Sequence, residues 1–287
     1  MTTGRKWLLG CGIGCGVLLL VGIGSCVGAA LFLKHTFRGI EKAGSSYEAL
    51  TAEMGNVGEY VPPPDGAPPP DRLEVFLAVR EGVAGDRAGV EAAMAALPTP
   101  ELAEDGAVVG KIRAGLGALG DLIDGIGTYL QARNRALLER RMSAGEYVYI
   151  YTLAYYSGLG HTPGDGPETG KQPGGVRVGA FDDGGLFSAR AVRRRYRRYT
   201  LAMVRAQVES LEPGAEAGDG ETWRSKLEHE LHRLEVDPGR VLWQDGLPPS
   251  VEVALSPFRN RLEQSYSAAT NRIELPLAEH ELPWQWR

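Results

Sequence analysis

Between Trp7 and Leu33 the chain runs for 27 residues without a charge, WLLGCGIGCGVLLLVGIGSCVGAALFL, with Arg5 and Lys6 before it and Lys34 after. At about 1.5 Å of rise per residue such a helix is roughly 40 Å long, against about 30 Å of bilayer hydrocarbon. The stretch therefore predicts a single N-terminal transmembrane helix over 7–33, tilted to fit, behind a short tail of residues 1–6. Two processed alternatives fit less well. A cleaved signal peptide has an apolar region of about 7–15 residues. A lipoprotein signal ending at Cys26 would turn polar at once, whereas Val27 to Leu33 stays apolar.

Basic residues near the span number two before it (Arg5, Lys6) and three after it (Lys34, Arg38, Lys42), so the positive-inside count nearly ties. A very short tail ahead of a long apolar segment is the form of a signal-anchor. The expectation is a single-pass protein of the cell membrane with an extracytoplasmic C-terminal domain. The lipid bilayer is then its first partner, through residues 7–33. Gly10 with Gly14, and Gly24 with Gly28, have the small-xxx-small spacing that lets two helices approach closely in lipid. Those four glycines mark a helix-association face for a second copy or a partner membrane protein. All three cysteines (Cys11, Cys15, Cys26) lie in this stretch, so the rest of the chain has neither disulfides nor cysteine-metal sites.

Beyond Leu33 the chain divides by composition. Residues 34–71 read as a polar stalk and a Pro-rich linker, with six prolines in the eleven residues from Val61 to Asp71. Proline fixes φ and cannot donate, so this linker is expected to be an extended, semi-rigid spacer. Residues 72–287 are long enough to bury a core and are expected to form an all-α soluble domain, a helical bundle. The net charge of −5 and pI of about 5.7 give no basic signature for nucleic acid.

The predicted helices track the apolar spacing. One spans Asp71–Leu97. A second spans Glu101–Arg141, with Ile112, Leu116, Leu119, Ile123, Ile126, Leu130 and Leu137 along one stripe and many glycines inviting a close neighbour. Lys111, Arg113, Asp121 and Asp124 exclude it as a second span. Ser143-Ala-Gly-Glu146 is a capping box, Ser accepting from the N3 amide and Glu reaching back to the cap amide. It opens a helix to Ser157, with a strand as the rival reading. That helix is apolar or aromatic all round, so it is expected at the centre of the domain, with five tyrosine hydroxyls in need of partners. His161 to Gly185 reads as a surface loop, and Phe187–Leu211 and Glu221–Val236 as amphipathic helices. Val251–Leu255 reads as a short helix or strand and Phe258–Ala268 as a helix. The remainder, 273–277 and 282–287, is expected to lie extended over the bundle.

Chemistry has few footholds. Asp165-Gly-Pro-Glu-Thr-Gly-Lys171 resembles a phosphate loop but has Asp where the pattern needs Gly and Gln172 where it needs Ser or Thr. His229, His232 and Glu235 share one side of a helix and are zinc candidates, although the zincin pattern needs histidines four apart. No cofactor and no catalytic signature is read from the sequence. Arginines crowd the helix from Phe187, and Arg193, Arg194 and Arg197 are candidates for contact with an anionic surface. The resulting expectation is a membrane-tethered, non-catalytic interaction or scaffold module of the bacterial envelope. The rival is a membrane-anchored, metal-assisted hydrolase built on His229 and His232.

Overall fold

A computed structural model describes residues 39, 41–97, 108–166, 181, 185–211 and 222–277, with the side chains of 108–116 excepted. Their regular structure is helical, with no strand among them. None of the described helices is long and apolar enough to cross a membrane. The stretch expected to do so, 7–33, lies outside the described residues, as do Gly10, Gly14, Gly24 and Gly28 and the tail from 278.

Helix α1 (41–54) packs in parallel along the longest helix, α4 (Val108–Glu139). Two contacts fix the register. A Cβ built on Gly127 would stand 2.6 Å from Gly39 Cα, and seven residues further on Asn134 donates to Ser46 Oγ at 3.1 Å. Here Gly127 gives the close approach that the glycines of α4 suggested, because only two residues without side chains let the backbones meet.

The Pro-rich segment departs from expectation. It is extended, but it lies on the domain and does not stand it off. Pro62, Gly66 and Pro68 are buried. Pro63 O accepts from Gln207 Nε2 at 2.5 Å, Asp65 O from Ser250 at 3.0 Å and Gly66 O from Tyr149 at 2.7 Å. A turn closed by Gly66 N to Pro63 O leaves Gly66 at φ +74°, with the Trp223 ring over it. The reason is chemical. Prolines cannot donate, and the Gly66 amide is used inside the turn, so the segment turns carbonyls to the domain, and three elements each supply a donor for one.

The helix expected over Asp71–Leu97 is two, α2 (Pro70–Gly82) and α3 (Ala84–Ala95), parted at Val83 between Gly82 and Gly85. In α4 the buried line is Leu122, Ile126, Tyr129, Arg133 and Leu137, while Leu119, Ile123 and Leu130 are half-buried. The inward line is rotated from the expected stripe, shares Ile126 and Leu137 with it, and includes an arginine. Helix α5 (Ala144–Tyr151) starts where the capping box placed it, with Ser143 Oγ accepting from Glu146 N at 3.0 Å. Glu146 itself turns to Arg72, at 2.6 Å to both Nε and Nη2, so the reciprocal half of the box becomes an ion pair between helices.

The same helix widens into a π-helix over Thr152–Gly158, with Leu159 N bonding back five residues to Ala154 O. It is the central buried element, as expected. Around it stand α6 (Ala189–Ser210), α7 (Trp223–Val236), α8 (Pro249–Leu255) and α9 (Arg259–Ser265). The last described helix, α10 (Ala268–Glu274), corrects another expectation. Residues 273–277 do not lie over the bundle, because Thr270 to Pro276 are buried inside it.

Candidate functional site

The densest chemistry in the domain converges on one carboxylate at the end of α10. Glu274 is fully buried and takes hydrogen bonds from five donors. Oε1 accepts from Arg80 Nη1, from Tyr129 Oη at 2.5 Å and from Thr270 Oγ1 at 3.2 Å. Oε2 accepts from Tyr147 Oη at 2.9 Å and from Arg133 Nη1 at 3.3 Å. These donors come from α2, α4, α5 and α10 itself, so one side chain ties four helices. Arg133 Nη1 also reaches Glu274 O at 2.8 Å, and Arg80 Nη2 reaches Ser265 O at 2.6 Å.

Burial on its own would keep Glu274 protonated, but Arg80 and Arg133, helped by the Tyr129 hydroxyl, hold its pKa down at about 2. The two arginines leave one positive charge in excess. Tyrosine faces receive part of it, Arg80 lying 5.4 Å and 5.5 Å from the Tyr151 and Tyr155 centroids and Arg133 5.6 Å from that of Tyr147. A carboxylate with both oxygens saturated and so low a pKa is not a general base near neutrality. What the arrangement does is hold α10 in the core. Because the ordinary pKa of 4.5 falls to about 2 on folding, the stabilisation is complete above about pH 4.5 and lost as pH falls toward 2. Acid titration of the full chain in detergent should therefore show tertiary unfolding in that window. A Glu274→Gln variant, which has no proton to gain, should lack that part of the acid dependence.

The five tyrosines of the central helix all find partners inside the domain. Tyr147 is taken by Glu274. Tyr149 bonds Gly66 O, Tyr151 and Tyr156 both donate to Asn271 Oδ1 at 3.0 Å, and Tyr155 pairs with Ser265 Oγ at 2.7 Å. The ring contacts are tilted or edge-on, as between Tyr151 and Tyr156 with centroids 5.5 Å apart. Asn271 passes its amide on to Thr162 O and Asp165 O, and Arg272 donates to Gly164 O. Part of the segment expected as surface loop is thus fastened to α10, with Pro163 and Gly164 buried.

The sites read from the sequence are spread over the surface. His229, His232 and Glu235 are exposed on α7, and Glu235 pairs with Arg205 at 2.6 Å. Among the described residues no group of three His, Cys, Asp or Glu side chains is placed to hold a metal. On α7 Leu227 and Leu234 face inward, with Glu230 between them. Glu230 accepts from Arg240 Nη2 at 2.9 Å and from Trp243 N at 2.9 Å, pinning the turn after α7. In the arginine cluster, Arg190, Arg193 and Arg194 are exposed, with Arg193 lying over Gly164. Arg195 is buried and donates to Leu275 O and Leu186 O. Arg197 closes the C-terminus of α7, donating to Leu234 O at 3.4 Å and Glu235 O at 2.9 Å.

Sequence reasoning missed Arg80, Arg133, Glu230 and Glu274. A signal was present: Arg80 comes after Leu73, Phe76 and Leu77 at helical spacing, and Arg133 after Leu122, Ile126 and Tyr129. A charge on an inward line calls for an opposite charge elsewhere on an inward line. Compared with known proteins, the chain matches no family model, no curated protein and no solved structure.

Proposed function

We propose that this chain is a membrane-tethered, non-catalytic helical module of the bacterial cell envelope, which presents a rigid domain to a partner at the bilayer. The observation that carries the reading is the shortness of the connection. The uncharged stretch ends at Leu33, and the domain's packing begins with Gly39 against Gly127. Only residues 34–38 lie between, and the Pro-rich segment, which as a free spacer would let the domain roam, is bonded to it at Pro63, Asp65 and Gly66. So few residues between the uncharged stretch and the domain suit presentation at the membrane better than reach.

The domain's interior supports the non-catalytic part. Its buried carboxylates, Glu230 and Glu274, are each saturated by arginines and other fixed donors. The experiment is fractionation of cells expressing the full chain, then crosslinking and copurification from mild detergent. The expected result is a chain that stays with membranes through an alkaline carbonate wash and brings down a stoichiometric partner, its own copy included. A chain released by the wash would overturn the tether, and hydrolytic activity dependent on His229 and His232 would overturn the non-catalytic reading.

A further inference from the structure

The Pro-rich segment is held in the manner of a bound peptide. Its flanks have polyproline dihedrals, φ −71° and ψ 125° at Tyr60 and φ −57° and ψ 145° at Pro69. Between them its carbonyls are taken by side chains of three separate helices, Tyr149 of α5, Gln207 of α6 and Ser250 of α8. Aromatic rings line the same path. Tyr60 meets Tyr149 with centroids 5.8 Å apart, and Trp223 covers Gly66, backed by Trp243 at 5.6 Å. Aromatic walls with a few side-chain donors are how protein surfaces take proline-rich segments, whose stiff backbone has little entropy to lose.

Two features of this wall go beyond what holding the segment requires. The indole Nε1 of Trp223 is buried and, among the described residues, donates to nothing. It lies on the same ring edge as Cζ2, the atom that would stand 2.6 Å from a Cβ on Gly66. The donor therefore stands at the groove, and the chain's own segment leaves it unmatched, at the cost of a buried polar group without a partner. Trp243, which backs it, has a left-handed backbone at φ +55°, a strained conformation for so bulky a side chain. Its turn is pinned in that shape, Glu230 Oε1 accepting from Trp243 N at 2.9 Å and Tyr196 Oη from Leu242 N at 2.8 Å. Strain held this firmly beside an unmatched donor is a mark of ligand clamps.

We propose that this groove is a binding site for a proline-rich segment of a separate partner protein, filled in this structure by residues 62–68 of the chain itself. The proposal rests on the reading above, whose partner it describes by chemistry. Pro62, Gly66 and Pro68 are buried while Pro64, Asp65 and Pro69 are exposed, so the first three positions carry the specificity. The resident segment competes at the millimolar effective concentration of a linked ligand, which closes the groove to weak binders. A partner that meets Trp223 Nε1 with a further carbonyl gains a hydrogen bond that the resident segment lacks.

The probe is a synthetic peptide of residues 59–71 with a fluorophore at its N-terminus, added to the full chain in mild detergent. Gly66→Ala in the protein should empty the groove, because the added Cβ meets the Trp223 ring and Gly66 sits at φ +74°. By fluorescence anisotropy that variant should bind the peptide about tenfold more tightly than the wild type, whose own segment competes. Adding Tyr149→Phe or Gln207→Leu should weaken the binding by about fivefold each, the usual effect of one net hydrogen bond. A folded Gly66→Ala chain with no gain in binding overturns the proposal. The wild type gives a second readout that does not depend on the variant's folding. A peptide with a photoreactive group in place of Ala67 should crosslink to Trp223 or Tyr149 and be blocked by excess plain peptide, and absence of such adducts overturns the proposal. Wild-type dimers that excess peptide dissociates would assign the groove to a second copy and overturn the separate partner. Neither readout involves the bilayer, so a chain that binds the peptide yet leaves membranes in the carbonate wash keeps the groove and loses the tether.

Discussion

Replacing Glu274 with alanine should lower the stability of the domain by about 3–5 kcal/mol, the usual range when one partner of a buried ion pair is removed. The loss comes less from missing attraction than from what remains. Arg80 and Arg133 are both at the centre of the domain, and the variant leaves two guanidinium groups there with no anion. Tyr129 and Tyr147 also lose an acceptor. Denaturant titration of the full chain in mild detergent, read by near-ultraviolet circular dichroism of the tyrosines, measures the effect. Glu274→Gln keeps the shape and removes the charge, so a loss as large as that of alanine would identify charge as the quantity that matters. The informative contrast is the triple variant Arg80→Met, Arg133→Leu, Glu274→Leu. A buried network exchanged whole for apolar side chains is often near neutral. The triple variant should therefore be more stable than Glu274→Ala alone. A loss below about 1 kcal/mol in Glu274→Ala would mean that this carboxylate does not carry the network, since even one orphaned buried donor costs about 1–3 kcal/mol.

The second large effect is expected where α1 meets α4. At Gly127 an added Cβ would stand 2.6 Å from backbone atoms of Gly39, and backbone cannot rotate away as a side chain does. Gly127→Val should force the two helices apart and cost on the order of 1–3 kcal/mol, the range for overpacking a tight contact. Gly117, on the same helix but in open space, should behave oppositely. Gly117→Ala should stabilise by up to about 1 kcal/mol through helix propensity alone. Melting curves of the two variants, taken side by side, separate close approach from intrinsic helix preference. Equal shifts in the same direction would refute the distinction.

These two sites also show what could be read from the sequence. The capping residue Ser143 and the central, buried position of the helix it opens came from local rules, and the structure has them. Each concerns one helix and its own period. Two features did not yield to that kind of reading. The Pro-rich segment reads as a spacer because proline's effect on its own backbone is local knowledge, whereas the donors at Tyr149, Gln207 and Ser250 lie far along the chain. Glu274 escapes notice for a related reason. Its short helix, Ala268–Glu274, is mostly polar and would ordinarily be assigned to the surface. Only the positions of Arg80 and Arg133, roughly 190 and 140 residues earlier, show why it must be inside. Pairings at such separation are set by the whole fold.

The burial of α10 bears on how the protein is made. Synthesis delivers Arg80 and Arg133 long before Glu274, which neutralises them, and Arg195 long before Leu275 O, one of its acceptors. Translation must pass Glu274 before that interior charge is balanced. Any product cut short ahead of residue 268 retains cations in its centre with no counter-charge, and it should fall to proteolysis. Helix α10 thus marks a point that translation must reach, since a chain carried through Glu274 has the counter-charge its interior needs.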